Sequence, residues 1–131
     1  VGVEESLKRW TRKRRKRPMI RIDLKDKLLY NPDGTPVMQT PPGKTEPVAE
    51  QLADDLARIL NFPHNKDSVK TWEMSCKITR ERVLEVDTSD CKMIEEIIEE
   101  NKEFFPLVKG QLLLEIRKAK LEAVTKEKEG K

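Results

Sequence analysis

A chain of 131 residues has the size of one domain and can bury a hydrophobic core without disulfide or metal staples. With 39% charged residues, 5% aromatics and five glycines, it favours long charged helices over a β-sandwich or barrel, which need aromatics and turn residues at short spacing. The net charge of +3 belongs to one end: residues 1–18 hold eight Lys/Arg against two Glu, a net +6, while the remaining 113 hold 19 Lys/Arg against 22 Asp/Glu, a net −3.

The first segment, Val1 to Pro18, begins without Met and contains Arg12, Lys13, Arg14, Arg15, Lys16 and Arg17 in an unbroken run. Six adjacent positive charges repel one another and bury nothing, so disorder is expected here. Met19 is a candidate natural start, with residues 1–18 then derived from upstream or vector sequence; a native basic tail is the other reading.

Ile20, Ile22 and Leu24 alternate with Arg21 and Asp23, the period-2 pattern of a half-buried strand. Asn31-Pro32-Asp33-Gly34 is a turn: proline presets φ and Asp-Gly tolerates positive φ. Leu28-Leu29-Tyr30 precedes that turn and Val37-Met38 offers a returning strand, a short N-terminal β-hairpin that has to pack on something or stay loose. Residues 39–47 carry Pro41, Pro42, Gly43 and Pro47 and read as a linker or an ordered loop.

Four helices are predicted after it. The first spans about Glu46 to Leu60, with Pro47 in its first turn and Val48, Leu52, Leu56, Ile59 and Leu60 on one face. The second spans about Asp67 to Thr79, capped by Asp67 or Ser68, with Val69, Trp72 and Cys76 as its apolar stripe. Arg82-Val83-Leu84-Glu85-Val86 is β-branched enough for a short extended piece between helices. Asp87 caps the third helix, whose apolar face is Met93, Ile94, Ile97 and Ile98. The fourth opens near Pro106, with Val108, Leu112 and Ile116 at spacing four and Leu107, Leu114 and Leu121 at spacing seven. The fold class is therefore mainly α: about four amphipathic helices in one compact domain over residues 46–125, a hairpin and Pro-rich linker over 19–45, a basic tail over 1–18 and a frayed end over 126–131.

The search for chemistry returns little. His64 is alone in a loop between helices. Cys76 and Cys91 are fifteen residues apart with no CxxC, and each is expected on the apolar face of its helix, where burial raises a thiol's pKa and makes it inert. Glu95-Glu96 and Glu99-Glu100 alternate with the isoleucines and read as a solvated face. There is no GxGxxG, P-loop or HExxH. The chain is read as a binding protein, not an enzyme, with no catalytic residue, cofactor or metal. No apolar run approaches a membrane span, and no apolar stretch follows the basic N-terminus as in a secretory signal.

What remains is surface for protein partners. Trp72, Phe104 and Phe105 are the large aromatics available as anchors, with core packing the other reading of Trp72. Leu112, Leu113 and Leu114 occupy most of a helix circumference, so at least one faces away from a single core; a helix buried on several sides is the alternative. Residues 12–17 are the candidate phosphate contacts, with Trp10 beside them to stack on a base. The acidic folded part and the lack of an RNP, KH or zinc-finger pattern weigh against nucleic acid.

The order of segments from Val48 to Ile116, about half of the chain, resembles the tail assembly chaperones of lambda-like long-tailed bacteriophages. It begins with Val48-Ala49-Glu50-Gln51-Leu52-Ala53-Asp54-Asp55-Leu56. A Lys-x-x-x-Trp-x-x-x-x-x-Ile segment follows, here Ser68 to Ile78 around Lys70. Leu84-Glu85-Val86-Asp87-Thr88-Ser89-Asp90 then leads into an isoleucine-rich helix, and the match closes on Phe105-Pro106-Leu107-Val108-Lys109-Gly110-Gln111-Leu112-Leu113. The resemblance implies a helical, cofactor-free protein of the infected host's cytoplasm. It would bind the long helical tape-measure protein and keep it soluble until the tail tube polymerises, form homo-oligomers, and meet tail tube subunits through a longer frameshifted form. Glu129-Gly130-Lys131 is compatible with a slippery Gly-Lys codon pair. Two other functions stay open: a nucleic-acid-binding accessory protein acting through the basic run, and a minor structural phage protein of the head–tail junction or tail.

Overall fold

The computed structural model of the chain describes residues 19–129, with side chains described through Thr125. It is a mainly α fold of four helices with short antiparallel β pairings. In chain order the elements are β1 (Ile20–Asp23), β2 (Met38–Gln39), β3 (Val48–Ala49), α1 (Leu52–Asn61), α2 (Ser68–Glu81), β4 (Val83–Val86), α3 (Thr88–Glu100) and α4 (Pro106–Glu129).

The alternating pattern of β1 does form a strand, but its partner is β4, some sixty residues on. The pairing is antiparallel, with Ile20 opposite Val86, Arg21 opposite Glu85, Ile22 opposite Leu84 and Asp23 opposite Val83. Ile20, Ile22, Leu84 and Val86 point into the core, while Arg21 and Glu85 form a cross-strand ion pair on the outer face at 3.8 Å. The Leu24 amide donates to the Arg82 carbonyl at 2.8 Å and extends the ladder by one bond.

The predicted turn at Asn31–Gly34 is present. Gly34 has φ +90° and its amide donates to the Asn31 carbonyl at 2.9 Å. The chain returns to pair Tyr30 with Pro36, and the Val37 amide donates to the Leu29 carbonyl at 2.8 Å, so the expected short hairpin forms; its returning arm continues into β2, which pairs with β3. Between β2 and β3, Gly43 at φ +78° follows Pro42 in a turn closed by the Lys44 amide on the Pro41 carbonyl. Residues 39–47 are thus an ordered loop. Because Val48 and Ala49 are held as strand, α1 starts at Leu52 and not near Glu46, and Val48 lies exposed outside the helix.

Asp67 Oδ1 accepts from the Val69 and Lys70 amides, both at 3.1 Å, and Asp87 Oδ1 accepts from the Asp90 amide at 2.8 Å. These side-chain caps satisfy amides that the first helical turn leaves without partners. Helix α2 ends at Arg82 in the left-handed region (φ +62°), which turns the chain into β4; the Arg82 guanidinium pairs with Asp54 of α1. Asn101 Oδ1 accepts from the Glu103 and Phe104 amides in the turn before α4. Lys109 Nζ donates to the Glu99 and Asn101 carbonyls at the C-terminal end of α3, where a cation is favoured.

One core results. Helix α1 packs against the other three helices, and β1 lies against both β4 and α4. Ile22, Leu24, Leu56, Ile59, Ile78, Ile94, Ile98, Leu112 and Ile116 are fully buried in it. The N-terminal segment contributes Ile20, Ile22, Leu24 and Leu29 to this core, and Gln111 of α4 clamps the Tyr30 backbone, Nε2 to its carbonyl at 2.7 Å and Oε1 from its amide at 2.9 Å.

If β1 is a core element, Ile22→Ala lowers the unfolding free energy by about 2–4 kcal/mol, whereas Arg21→Ala, which loses only a surface ion pair, changes it by less than about 1 kcal/mol. Urea unfolding of the two variants checks this, and equal small effects would show that the strand is dispensable.

Candidate protein-docking surface

Helix α2 carries two possible faces. Thr71, Met74, Ser75 and Ile78 recur at helical spacing, and so do Val69, Trp72 and Cys76. The structure buries the first set. Val69 is 68% exposed, Trp72 is 61% exposed and Cys76 is half-buried, so the stripe expected in the core looks out into solvent instead. Burial of hydroxyls is tolerated because the helix satisfies them itself: Thr71 Oγ1 donates to the Ser68 carbonyl at 3.2 Å and Ser75 Oγ to the Trp72 carbonyl at 2.7 Å. Ser75 Oγ also lies 3.3 Å from Asn61 Oδ1 of α1. Beside Trp72 runs an open groove of about 550 Å³, lined by Asn61, Glu73, Ser75, Cys76, Thr79 and Arg80.

Helix α4 repeats the situation on a larger scale. Val108, Leu112, Ile116 and Ala119 are buried. The leucine triplet is split across the circumference: Leu112 is 1% exposed, Leu113 is half-buried against the core and Leu114 is 51% exposed. Leu112 is thereby a core residue and leaves the set of partner contacts. Leu121 at 68% and Val124 continue the outer face, and Phe105 is the most exposed of the large apolar side chains. Phe104 is half-buried, its ring meeting that of Phe62 edge-on at 5.3 Å and 83°. That contact runs from the end of α1 to the start of α4: Asn61, next to Phe62, lines the Trp72 groove, and Phe105 follows Phe104. Of the residues expected to contact partners, Trp72, Phe105, Leu114 and Leu121 are exposed, Phe104 and Leu113 are half-buried, and Leu112 is inside. Arg12, Lys13, Arg14, Arg15, Lys16 and Arg17 lie outside the described residues.

The titratable groups occupy structural positions. His64 accepts from the Lys66 amide at Nδ1 (3.1 Å), which leaves Nε2 to donate to the Leu60 carbonyl at 3.2 Å, closing the end of α1. Cys91 is buried and its thiol is pushed up to about 11 by desolvation, with Glu95 adding to the rise. Cys76, by contrast, borders the open groove and is not a core thiol. Glu95 and Glu96 are bound by cations from other elements, Lys120 at 2.9 Å and Lys66 at 2.8 Å, and the Lys66 ammonium holds Glu96 below the usual carboxylate range. Glu99 and Glu100 are exposed. Among the described residues, no group of three or more His, Cys, Asp or Glu is placed to hold a metal ion, and no helix is long and apolar enough to cross a membrane.

Asp55 belongs to no catalytic motif, yet it is the most deeply buried ionisable side chain among the described carboxylates. It is 1% exposed, neither oxygen receives a hydrogen bond, and Arg58 Nη1 stands 3.5 Å from Oδ1. Burial pushes its carboxyl up from 3.8 to about 8; Glu50 beside it adds to the rise and Arg58 opposes it. Its position, three residues after Leu52 and four before Ile59, puts it on the apolar face of α1, a signal present in the spacing.

An acid whose folded-state pKa is raised binds its proton more tightly folded than unfolded. Its contribution is greatest below the unfolded value near 3.8 and is lost as pH rises to about 8. Asp55→Asn removes that titration, so the variant should match the parent near pH 4 and exceed it in thermal midpoint at pH 8. A parent and variant with parallel pH profiles would contradict this assignment. Compared with protein-family models, with curated proteins and with solved structures, the chain gives no match.

Proposed function

We propose that this protein is an assembly chaperone of the phage-tail type, which binds apolar helix faces of a tape-measure protein in the host cytoplasm and keeps that protein soluble until the tail tube encloses it. The observation that carries this reading is the apolar surface left on the outer faces of α2 and α4, where Val69, Trp72, Leu114, Leu121 and Val124 stand in solvent although the core is already closed beneath them. Exposed large side chains in contiguous rows mark binding surfaces more often than isolated ones do. The high charge of the chain offsets the solubility cost of such a surface. A client that must be released to the growing tube calls for shallow, solvent-facing contacts of this kind, not for a deep pocket. The segment order from Val48 to Ile116 supports the same reading by resemblance, and tail tube subunits and further copies of the chain are the other partners it implies.

Co-expression tests it. With this chain present, a candidate tape-measure protein of a long-tailed phage moves from the insoluble to the soluble fraction and co-purifies. Leu114→Glu combined with Leu121→Glu, which leaves the core untouched and the circular dichroism unchanged, abolishes the rescue. A client that is equally insoluble with and without the chain would refute the proposal.

A further inference from the structure

The outer face of α4 has a more specific order than exposure alone conveys. Gly110, Leu114, Arg117, Leu121 and Val124 follow one another at alternating spacings of four and three. This is the a/d spacing of a coiled-coil seam, and it runs for about 21 Å at 1.5 Å per residue; Leu107, one step earlier, is half-buried against the core and lies outside it. The seam lies roughly opposite the buried row of Val108, Leu112, Ile116 and Ala119. A seam with a 3.5-residue period on an outer face is shaped to receive one more helix.

Two residues of the seam indicate what that helix is like. Gly110 is exposed inside a helix, where glycine is destabilising relative to alanine, and a Cβ there would meet nothing within 4 Å. No neighbour among the described residues requires the glycine, and its bare backbone leaves room for a second helix to come close. Arg117 and Lys118, both exposed, put two positive charges at the middle of the seam. Lys118 is 3.4 Å from Glu115 beside it, and Arg117 has no carboxylate partner among the described residues. In a parallel pairing of two copies, Arg117 meets Arg117. In an antiparallel pairing, where one heptad position faces the other, Arg117 is set against Leu114 or Leu121 of the second copy. One direction opposes like charges and the other buries a guanidinium against a leucine, so the seam is mismatched to itself.

We infer that the outer seam of α4 docks a heterologous amphipathic helix that carries apolar residues at heptad spacing and acidic residues level with Arg117 and Lys118, and that Gly110 is its point of closest approach. This rests on the proposed binding function and names the chemistry of the partner. Any self-association of the chain then uses a different surface.

The test uses the full chain and two fluorescein-labelled synthetic helices of three heptads, both with Leu at the a and d positions, one with Glu and the other with Lys at the flanking e and g positions. Anisotropy should show the Glu helix binding at least about tenfold more tightly than the Lys helix at low salt, with the difference shrinking as salt rises. Arg117→Glu with Lys118→Glu should reverse the preference. Gly110→Ala should raise the thermal midpoint yet weaken binding of the Glu helix, a pairing of opposite signs that a merely structural glycine would not give. Equal affinity for both helices, binding of neither, or a dimer in sedimentation that Leu114→Glu dissolves would each overturn the inference. Rescue of the tape-measure protein without helix selectivity would leave the chaperone reading standing and remove this one. Selectivity without rescue would do the reverse.

Discussion

A helix packed on one side of a core can bury only one of its stripes, and α4 carries two. The row through Val108, Leu112, Ile116 and Ala119 closes the core over α1, α3 and β1, and the two-way clamp of Gln111 on the Tyr30 backbone sets the height at which it does so. With that row fixed, the rotation of α4 is fixed, and Leu114, Leu121 and Val124 have to face solvent. The same constraint governs α2, where packing against α1 turns Thr71, Ser75 and Ile78 inward and leaves Val69 and Trp72 outside. The binding surface proposed here is thus a consequence of how the core is filled, not an addition to it.

Local features of the fold are legible in the sequence because local physics sets them. Asp67 and Asp87 announce α2 and α3 by offering a carboxylate to free amides, and the isoleucines of α3 describe a single face with no competitor. The Asn31–Gly34 turn follows from proline and glycine geometry alone. The pairing of β1 with β4 is not legible in this way, since the pattern Ile20-Arg21-Ile22 says that a strand has one wet face but not which segment sixty residues away lies beside it. The start of α1 is not legible for a related reason: Val48 fits the helical stripe by spacing, and only its partner strand, Met38–Gln39, takes it out of the helix.

The candidate surface was legible in part. That some member of Leu112-Leu113-Leu114 had to face away follows from the circumference of a helix, and Leu107, Leu114 and Leu121 stand out by their spacing of seven. Which leucine was core needed the position of the neighbouring elements. Trp72 shows where hydrophobicity alone misleads: tryptophan, valine and cysteine form the more apolar stripe of α2, yet the helix presents threonine and serine to α1 and ties their hydroxyls to its own carbonyls. Asp55 fails in the opposite sense, an acid on an apolar face whose neutral form is what the core accepts. Both exceptions arise because packing against a particular neighbour decides burial, and composition does not.

The inner row of α4 holds the fold, and the outer seam is where the proposed partner docks. Site-specific photo-crosslinking separates the two roles, with benzoylphenylalanine placed in turn at Leu114, Leu121 and, as a control on a helix surface outside the proposed binding faces, Lys92 of α3, in cells that co-express a tape-measure protein. Crosslinks to that client are expected from Leu114 and Leu121 and not from Lys92. Crosslinks from Lys92 alone, or from none of the three while the client is soluble and co-purifies, would refute this assignment.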